Sequence, residues 1–460
     1  MDHLIKPYQG ELVNLVLEEE QAEQLKTESE SFPAITLSQR QQCDLEMLMN
    51  GGLSPLTGFM NEDVYNSVVN DTRLPDGVLW PIPYYLDVDK EFADKIEIGS
   101  RVALRDSEGF MPAVLTVESI WSPDKVREAE KVYATTDRNH PGVEYLLDTV
   151  NDVYIGGSIQ GAQLPFQYDF ETLRDTPEEL RQYFEKRGWR NVVAFHTSKP
   201  MHRVHQEITM RAAKEANAHI LLHPVVGMSK PGDLHYYARV HCYQAIKKYY
   251  PKNLVALSLL PMAMRMAGPR EALMNAIIRQ NYGCSHYIAG TEHAAPPNVR
   301  DEAARFYPSG ASQEYMLGFQ DELDIKIISV PELCYDEDSS KYIAVDHSEG
   351  GHCSSQTYSN RKIVNAITSD EAVPSWVSYP EVLTEMRKVC PPRKEQGFTL
   401  FFTGLSGSGK STLAKIIYAK FIEEGQRPVT LLDGDVVRQN LSSELGFSRK
   451  DRIIKVNRIG

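Results

Sequence analysis

Short apolar runs alternate with polar-faced helical stretches from Asn191 onward, and this alternation is the strongest pattern in the chain. The apolar runs are Val192-Val193-Ala194-Phe195, Ile220-Leu221-Leu222, Leu254-Val255-Ala256-Leu257 and Tyr287-Ile288-Ala289. Strands separated by helices predict βαβ units and a parallel sheet. Upstream, the first 160 or so residues read as mixed strand and loop. Runs such as Val78–Ile82 and Arg101–Leu104 are bounded there by Asp, Gly and Pro. Glu178–Arg187 has helical periodicity. Pro391-Pro392-Arg393-Lys394-Glu395-Gln396-Gly397 reads as a linker, and a new strand is predicted over Phe398–Thr403. The expected fold class is therefore α/β, in four parts: a β-rich domain over 1–165, a catalytic domain over 166–324, a small third domain over 325–390, and a linker with a further unit over 391–460.

Composition narrows the function. The chain has 460 residues, 49 basic and 63 acidic, a net charge of −14. An acidic chain is a poor general binder of nucleic acid or of a membrane surface, whose partners need basic footprints. No apolar run approaches the roughly 20 residues needed to cross a bilayer, and the acidic N-terminus lacks a signal-peptide core. Six scattered cysteines without a C-x-x-C pair fit a reducing cytoplasm and make a zinc or disulfide framework improbable.

Two motifs carry chemistry. Gly404-Leu405-Ser406-Gly407-Ser408-Gly409-Lys410-Ser411 matches G-x-x-x-x-G-K-S between an apolar run and the helical run Thr412–Glu424. Glycines such as Gly404, Gly407 and Gly409 let backbone N–H groups curl around phosphate oxygens. Lys410 is expected to reach the β/γ-phosphates, with Ser411 ligating Mg²⁺ and Thr412 opening the helix. A second predicted strand, Val429–Leu432, leads into Asp433-Gly434-Asp435.

The second motif is His196-Thr197-Ser198-Lys199-Pro200-Met201-His202-Arg203-Val204-His205, after a strand and before the predicted helix Gln206–Ala216. Two histidines three apart at a helix start can both face the phosphates of ATP and neutralise charge on the leaving pyrophosphate. A metal pair or solvated histidines would also give that spacing.

The residues around these motifs resemble known families. Leu221-Leu222-His223-Pro224-Val225-Val226-Gly227, Lys230-Pro231-Gly232-Asp233 and Pro261–Ala272 resemble sulfate adenylyltransferase (ATP sulfurylase). The tail from Phe398, with Asp435-Val436-Val437-Arg438 and Leu445-Gly446-Phe447-Ser448, resembles the start of adenylylsulfate kinases. The first resemblance implies a PUA-like N-terminal domain, a Rossmann-like H-x-x-H nucleotidyltransferase domain and a small third domain. It also implies MgATP and a small oxyanion as substrates, and a homo-oligomer. Thr197, Ser198, Lys199, His202 and His205 become the expected catalytic residues. His196, Met264, Arg265, Gly290, Thr291, Glu292 and His293 become nucleotide-binding, and Ser198, Lys199 and Ala294 anion-binding. The second resemblance implies that Asp435, Arg438, Phe447, Arg452 and Asn457 meet a nucleotide substrate. It covers about 63 residues, fewer than a kinase domain of on the order of 100–150 residues needs, so the kinase as given is expected to be inactive.

The chain departs from the first family's pattern where the anion should bind. The usual Gln-Thr-Arg-Asn-Pro is His196-Thr197-Ser198-Lys199-Pro200 here, and Gly-Arg-Asp-His-Ala-Gly-Pro is Gly290-Thr291-Glu292-His293-Ala294-Ala295-Pro296. A third region, Ser-Gly-Thr-x-x-Arg in the family, reads Cys353-Ser354-Ser355-Gln356-Thr357-Tyr358. A lysine one position along cannot reproduce the bidentate fork of an arginine. Three functions therefore compete: transfer of the adenylyl group to sulfate, the same transfer to a larger oxyanion such as a phosphonate, and nucleotide binding without catalysis.

Overall fold

The computed structural model describes residues 4–228, 234–296, 305–345, 358–405, 407–425, 428–432 and isolated positions between 446 and 454. Contacts divide the chain into Met1–Lys394 and Glu395–Gly460.

The first unit begins with a six-stranded sheet made of β1 (Ala34–Thr36), β2 (Gly58–Phe59), β3 (Leu86–Val88), β4 (Arg101–Arg105), β5 (Ala113–Trp121) and β6 (Val153–Gly161). Its order is β1-β4-β5-β6-β2, with β3 also on β6. Only β1 and β4 run parallel. Gly157, at φ +155°, lies opposite a register shift in β5, and a Cβ there would come within 1.9 Å of the Thr116 carbonyl. Six helices accompany this sheet: α1 (Glu19–Ser29), α2 (Gln39–Met49), α3 (Glu62–Asp71), α4 (Lys90–Ala93), α5 (Lys125–Val132) and α6 (Pro141–Asp148). The expectation of strand and loop alone is corrected here. α2 escapes a periodicity search because it is buried from Cys43 to Met49 and shows no polar face. Val78–Ile82 forms no strand; only Leu79 bridges, to Arg73.

The second layer is a parallel sheet of β7 (Val192–Phe195), β8 (His219–Leu222), β9 (Val255–Leu257), β10 (His286–Ala289) and β11 (Lys326–Ser329), in the order β11-β10-β7-β8-β9. The helices of this part are α7 (Pro177–Lys186), α8 (Arg203–Glu215), α9 (Tyr236–Lys247), α10 (Pro269–Asn281) and α11 (Ala311–Gly318). The chain leaves β7 toward β8 on one side and later returns through β10 on the other. The gap between β7 and β10 is thus the point where strand order reverses, and ligands of such sheets bind outside the carboxyl ends there.

β11 corrects the expected boundary at 325. It pairs in register with β10 from His286↔Lys326 to Ala289↔Ser329 and so belongs to the catalytic sheet. Beyond it lie the hairpin β12 (Leu333–Asp336) and β13 (Lys341–Ala344), then α12 (Asn360–Thr368) and α13 (Pro380–Val389), which packs on α9.

In the second unit α14 (Lys410–Glu424) runs between left-handed Gly409 and Gly425. The strands predicted at Phe398–Thr403 and Val429–Leu432 are not formed. Neither segment has a hydrogen-bonded neighbour among the described residues, and Phe401 is 86% exposed. A strand exists only as part of a ladder.

Candidate active site

Three loops converge at the reversal between β7 and β10. The first leaves β7 at His196. Its carbonyls are held from α9, where Arg239 and Tyr243 stand one helical turn apart on one face. The Tyr243 hydroxyl donates to Thr197 O (3.1 Å) and Lys199 O (2.8 Å), and Arg239 Nη1 donates to Ser198 O (2.9 Å). The Lys199 N–H donates to Thr197 Oγ1 at 3.1 Å. With its backbone fixed, Lys199 keeps an exposed ammonium at the tip.

His202 caps α8. Its backbone N–H donates to His205 Nδ1 (3.0 Å), which places the proton of a neutral His205 ring on Nε2, as a donor. Burial pushes the His205 imidazole down to about 3, with His202 and Lys199 adding to the effect. Burial likewise holds His202 down at about 4. The expectation that both rings face phosphate is altered for His202. Its ring is 4% exposed and turned toward the segments before and in α12 and α13, with Ser378 Oγ 2.9 Å from Nδ1 and Asn360 Oδ1 3.5 Å from Nε2. Both histidines are therefore neutral hydrogen-bonding groups near pH 7.

The second loop leaves β10 at Gly290. His293 Nε2 lies 2.7 Å from the Tyr287 hydroxyl, and Ser312 Oγ donates to His293 O at 2.8 Å. The His293 ring meets the His196 ring edge to face, centroids 5.4 Å apart. Thr291 is held through its carbonyl by Gly310 N (2.9 Å), and Glu292 forms an exposed ion pair with Arg305 at 3.0 Å. Ala294 adopts φ +57°, and its carbonyl accepts from Gly268 N at 3.1 Å, joining this loop to the third.

That third loop is the most enclosed of the three. Met264 and Arg265, expected to bind nucleotide, are both only 7% exposed. Met264 packs in the core, and Arg265 Nη2 lies 2.6 Å from Asp44 Oδ2 with its guanidinium over the Tyr84 ring at 4.5 Å. A charge that is desolvated must be paired, and Asp44 is that partner. Glu271 accepts from Arg265 N (2.9 Å) and Ala267 N (3.0 Å), closing the turn. Gly268, at φ +52°, has the Tyr307 ring where a Cβ would stand (2.6 Å). Beneath β10 lies Arg279, fully buried, bonded to Asn275 Oδ1 (2.6 Å) and 5.7 Å from the Tyr287 ring centroid. Among the described residues it has no carboxylate partner.

The structure thus brings the expected His196, His205 and His293 loops together, held by residues that sequence spacing did not single out: Arg239, Tyr243, Tyr287, Asn360 and Ser378. In the second unit, the glycines of the phosphate loop show positive φ (Gly404 +151°, Gly407 +78°, Gly409 +85°), and Lys410 Nζ donates to Leu405 O at 2.7 Å. Ser411 is exposed. Lys230–Asp233, Cys353–Thr357, Asp435, Arg438, Phe447, Arg452 and Asn457 lie outside the described residues. No group of three His, Cys, Asp or Glu side chains among the described residues is placed to hold a metal ion.

A parallel sheet that reverses its order beneath a pair of histidine loops defines a Rossmann-like α/β domain with its ligand crevice at that reversal. Comparison with known proteins makes this specific. Family profiles match a PUA-like domain over residues 5–164, ATP-sulfurylase over 171–389 and adenylylsulphate kinase over 396–460. A sulfate adenylyltransferase of Phaeosphaeria nodorum is 44% identical over 457 residues, covering 98% of this chain and 79% of the relative. One from Mycosarcoma maydis is 44% identical over 458 residues with the same shares. A solved structure described as a hexameric APS kinase from Thiobacillus denitrificans is 37% identical, with TM-score 0.81, and the match covers 99% of this chain and 83% of that one. The chain belongs to the sulfate adenylyltransferase family, with an adenylylsulfate kinase-like segment on the same polypeptide.

Proposed function

We propose that the chain transfers the adenylyl group of ATP to sulfate at the β7–β10 reversal, giving adenylyl sulfate and pyrophosphate. The observation that carries this reading is the meeting of the His196 and His293 loops at that edge in a chain of this family. A sulfate oxygen forms a bond to the α-phosphorus. The bond from that phosphorus to the bridging oxygen breaks, and pyrophosphate leaves with the electron pair. The protein contributes position and preorganised donors. His205 Nε2–H and the Lys199 ammonium are the groups for the departing negative charge, and His293, oriented by Tyr287, lies on the other wall. His202 acts as a positioning residue, through Ser378 and Asn360. Mg²⁺ enters with the ATP phosphates; no described carboxylate cluster competes for it.

A second reading is favoured by one observation. Arg239 is spent on Ser198 O and Arg265 on Asp44, while Arg305 pairs with Glu292. Lys199 is then the exposed cation of the first loop, beside the short side chains Ser198, Thr291 and Ala294. A larger acceptor with apolar surface would need fewer charged donors than sulfate does. Pyrophosphate release from ATP with a panel of oxyanions separates the readings. Turnover with sulfate supports the first, turnover only with a phosphonate or sulfonate the second, and no release with any acceptor contradicts both.

In the second unit, the loop 404–411 is proposed to hold nucleotide phosphates, with Ser411 on their Mg²⁺. A homo-oligomer is also proposed, supported by the hexameric state of the similar Thiobacillus denitrificans protein; light scattering tests it. No helix among the described residues is long and apolar enough to cross a membrane. The five described cysteines are all free thiols, which supports a cytoplasmic location.

A further inference from the structure

A cavity of about 420 Å³ opens between α8 and the β12–β13 hairpin, lined by residues outside the three loops described above. Arg203, Glu207 and Arg211 recur every four residues, so they form one stripe along α8 and make one wall. Lys341, Tyr335 and Trp376 line the opposite side. Three cations against one carboxylate leave two positive charges in the cavity, in a chain whose net charge is −14.

The charges are not equally engaged. Arg211 is committed, with Nε on Glu207 Oε1 (2.7 Å) and Nη2 on Tyr342 O (2.6 Å). Arg203 has its guanidinium carbon over the Tyr379 ring, 4.2 Å from its centroid, while its Nε is buried with no hydrogen-bond partner among the described residues. Neither Arg203 nor Lys341 has a carboxylate partner among the described residues, and the Lys341 side chain is exposed at the rim. Tyr335 and Trp376 stack with planes 1° apart and centroids at 4.7 Å, a rigid aromatic platform beside those cations.

We propose that this cavity is a second ligand site, taking an organic phosphate or sulfate ester of mononucleotide size. The anionic group would sit between Arg203 and Lys341 and the ring against the Tyr335–Trp376 pair. Pockets of roughly 300–1,000 Å³ suit such molecules, and planar rings stack readily on tyrosine and tryptophan.

The test reads the cavity directly. The full chain contains four tryptophans. Labelled with 5-fluorotryptophan, it gives a fluorine spectrum in which Trp376→Phe assigns the cavity signal. Titration with 5′-AMP should move that signal saturably, while adenosine at the same concentration should not. Lys341→Glu, at an exposed position, should weaken the 5′-AMP effect by about tenfold or more, the equivalent of about 1.4 kcal/mol. His205→Ala should leave it in place, which separates this site from the adenylyl-transfer site. The proposal is overturned if the Trp376 signal does not respond to 5′-AMP. A response that survives Lys341→Glu unchanged, is matched by adenosine, or vanishes in His205→Ala overturns it equally.

Discussion

The imidazoles of His196 and His293 meet edge to face at 5.4 Å, each carried by the loop that leaves one of two adjacent parallel strands. The chain between them makes three helical crossovers, through α8, α9 and α10. Their encounter therefore depends on the sheet reversing its order at β7 and β10. The buried Tyr287 hydroxyl, 2.7 Å from His293 Nε2, fixes one half of that pair.

Tyr287→Phe should test this support with little change of shape. Losing one buried hydrogen bond costs about 1 kcal/mol, and more if His293 is left unsatisfied. Adenylyl transfer should fall by roughly fivefold to thirtyfold, with a small drop in melting temperature. Full activity in Tyr287→Phe would show that His293 needs no such orientation.

Acid should weaken the fold through the same histidines that serve the site. Both His202 and His205 have native values depressed below their unfolded value, to about 4 and about 3. Near pH 7 neither state binds the proton. As pH falls below the unfolded value the unfolded chain takes it up while the native ring does not, so stability drops until the native values are reached. Each ring contributes a slope of up to about 1.4 kcal/mol per pH unit in that window. Chemical denaturation at pH 7.5 and pH 5 should show this loss, reduced in His202→Gln. A pH-independent midpoint over that range would contradict it.

Breaking the buried ion pair between Asp44 and Arg265 should be costly to the fold itself. Asp44→Ala leaves a guanidinium buried without its carboxylate, and such changes cost about 3–5 kcal/mol. The denaturation midpoint should fall sharply. Arg265→Met together with Asp44→Leu should recover part of the loss.

Lys410→Ala should leave adenylyl transfer unchanged, because the three loops lie wholly within Met1–Lys394. Loss of pyrophosphate release in that variant would bring the phosphate loop into the first reaction.

What the sequence made legible follows the range of the forces involved. Runs such as Val192–Phe195 and Ile220–Leu222 are buried on both faces of a parallel sheet and announce themselves as continuous apolar blocks. The loops that follow them were readable for the same reason. The role of Arg265 was not, since its partner Asp44 lies 221 residues away and no local spacing encodes it. The same holds for His202, whose ring is claimed by Ser378, 176 residues downstream. α10 is buried on every side from Glu271 to Asn281, so its polar residues Asn275 and Arg279 look misplaced until the core around them is seen. Phe398–Thr403 shows the converse: an apolar run is a strand only when a neighbour pairs with it.

The departure at Ser198 and Thr291 can be tested by reversing it. Ser198→Arg, Thr291→Arg and Lys199→Asn together should rebuild a compact dianion site, each charge-assisted bond contributing roughly 1.5–3 kcal/mol. Sulfate should bind about tenfold tighter or more, and a bulkier acceptor should bind more weakly. A shared rise or fall for both acceptors would indicate a general effect on stability instead.

The most direct test of the central claim is sulfate-dependent pyrophosphate release from MgATP by the intact chain and by His205→Ala. Transfer at the β7–β10 reversal predicts release that requires sulfate and falls by on the order of 10²–10³-fold when the Nε2–H donor is removed. Release by His205→Ala at the rate of the unaltered chain, or none from the unaltered chain with sulfate, would contradict it.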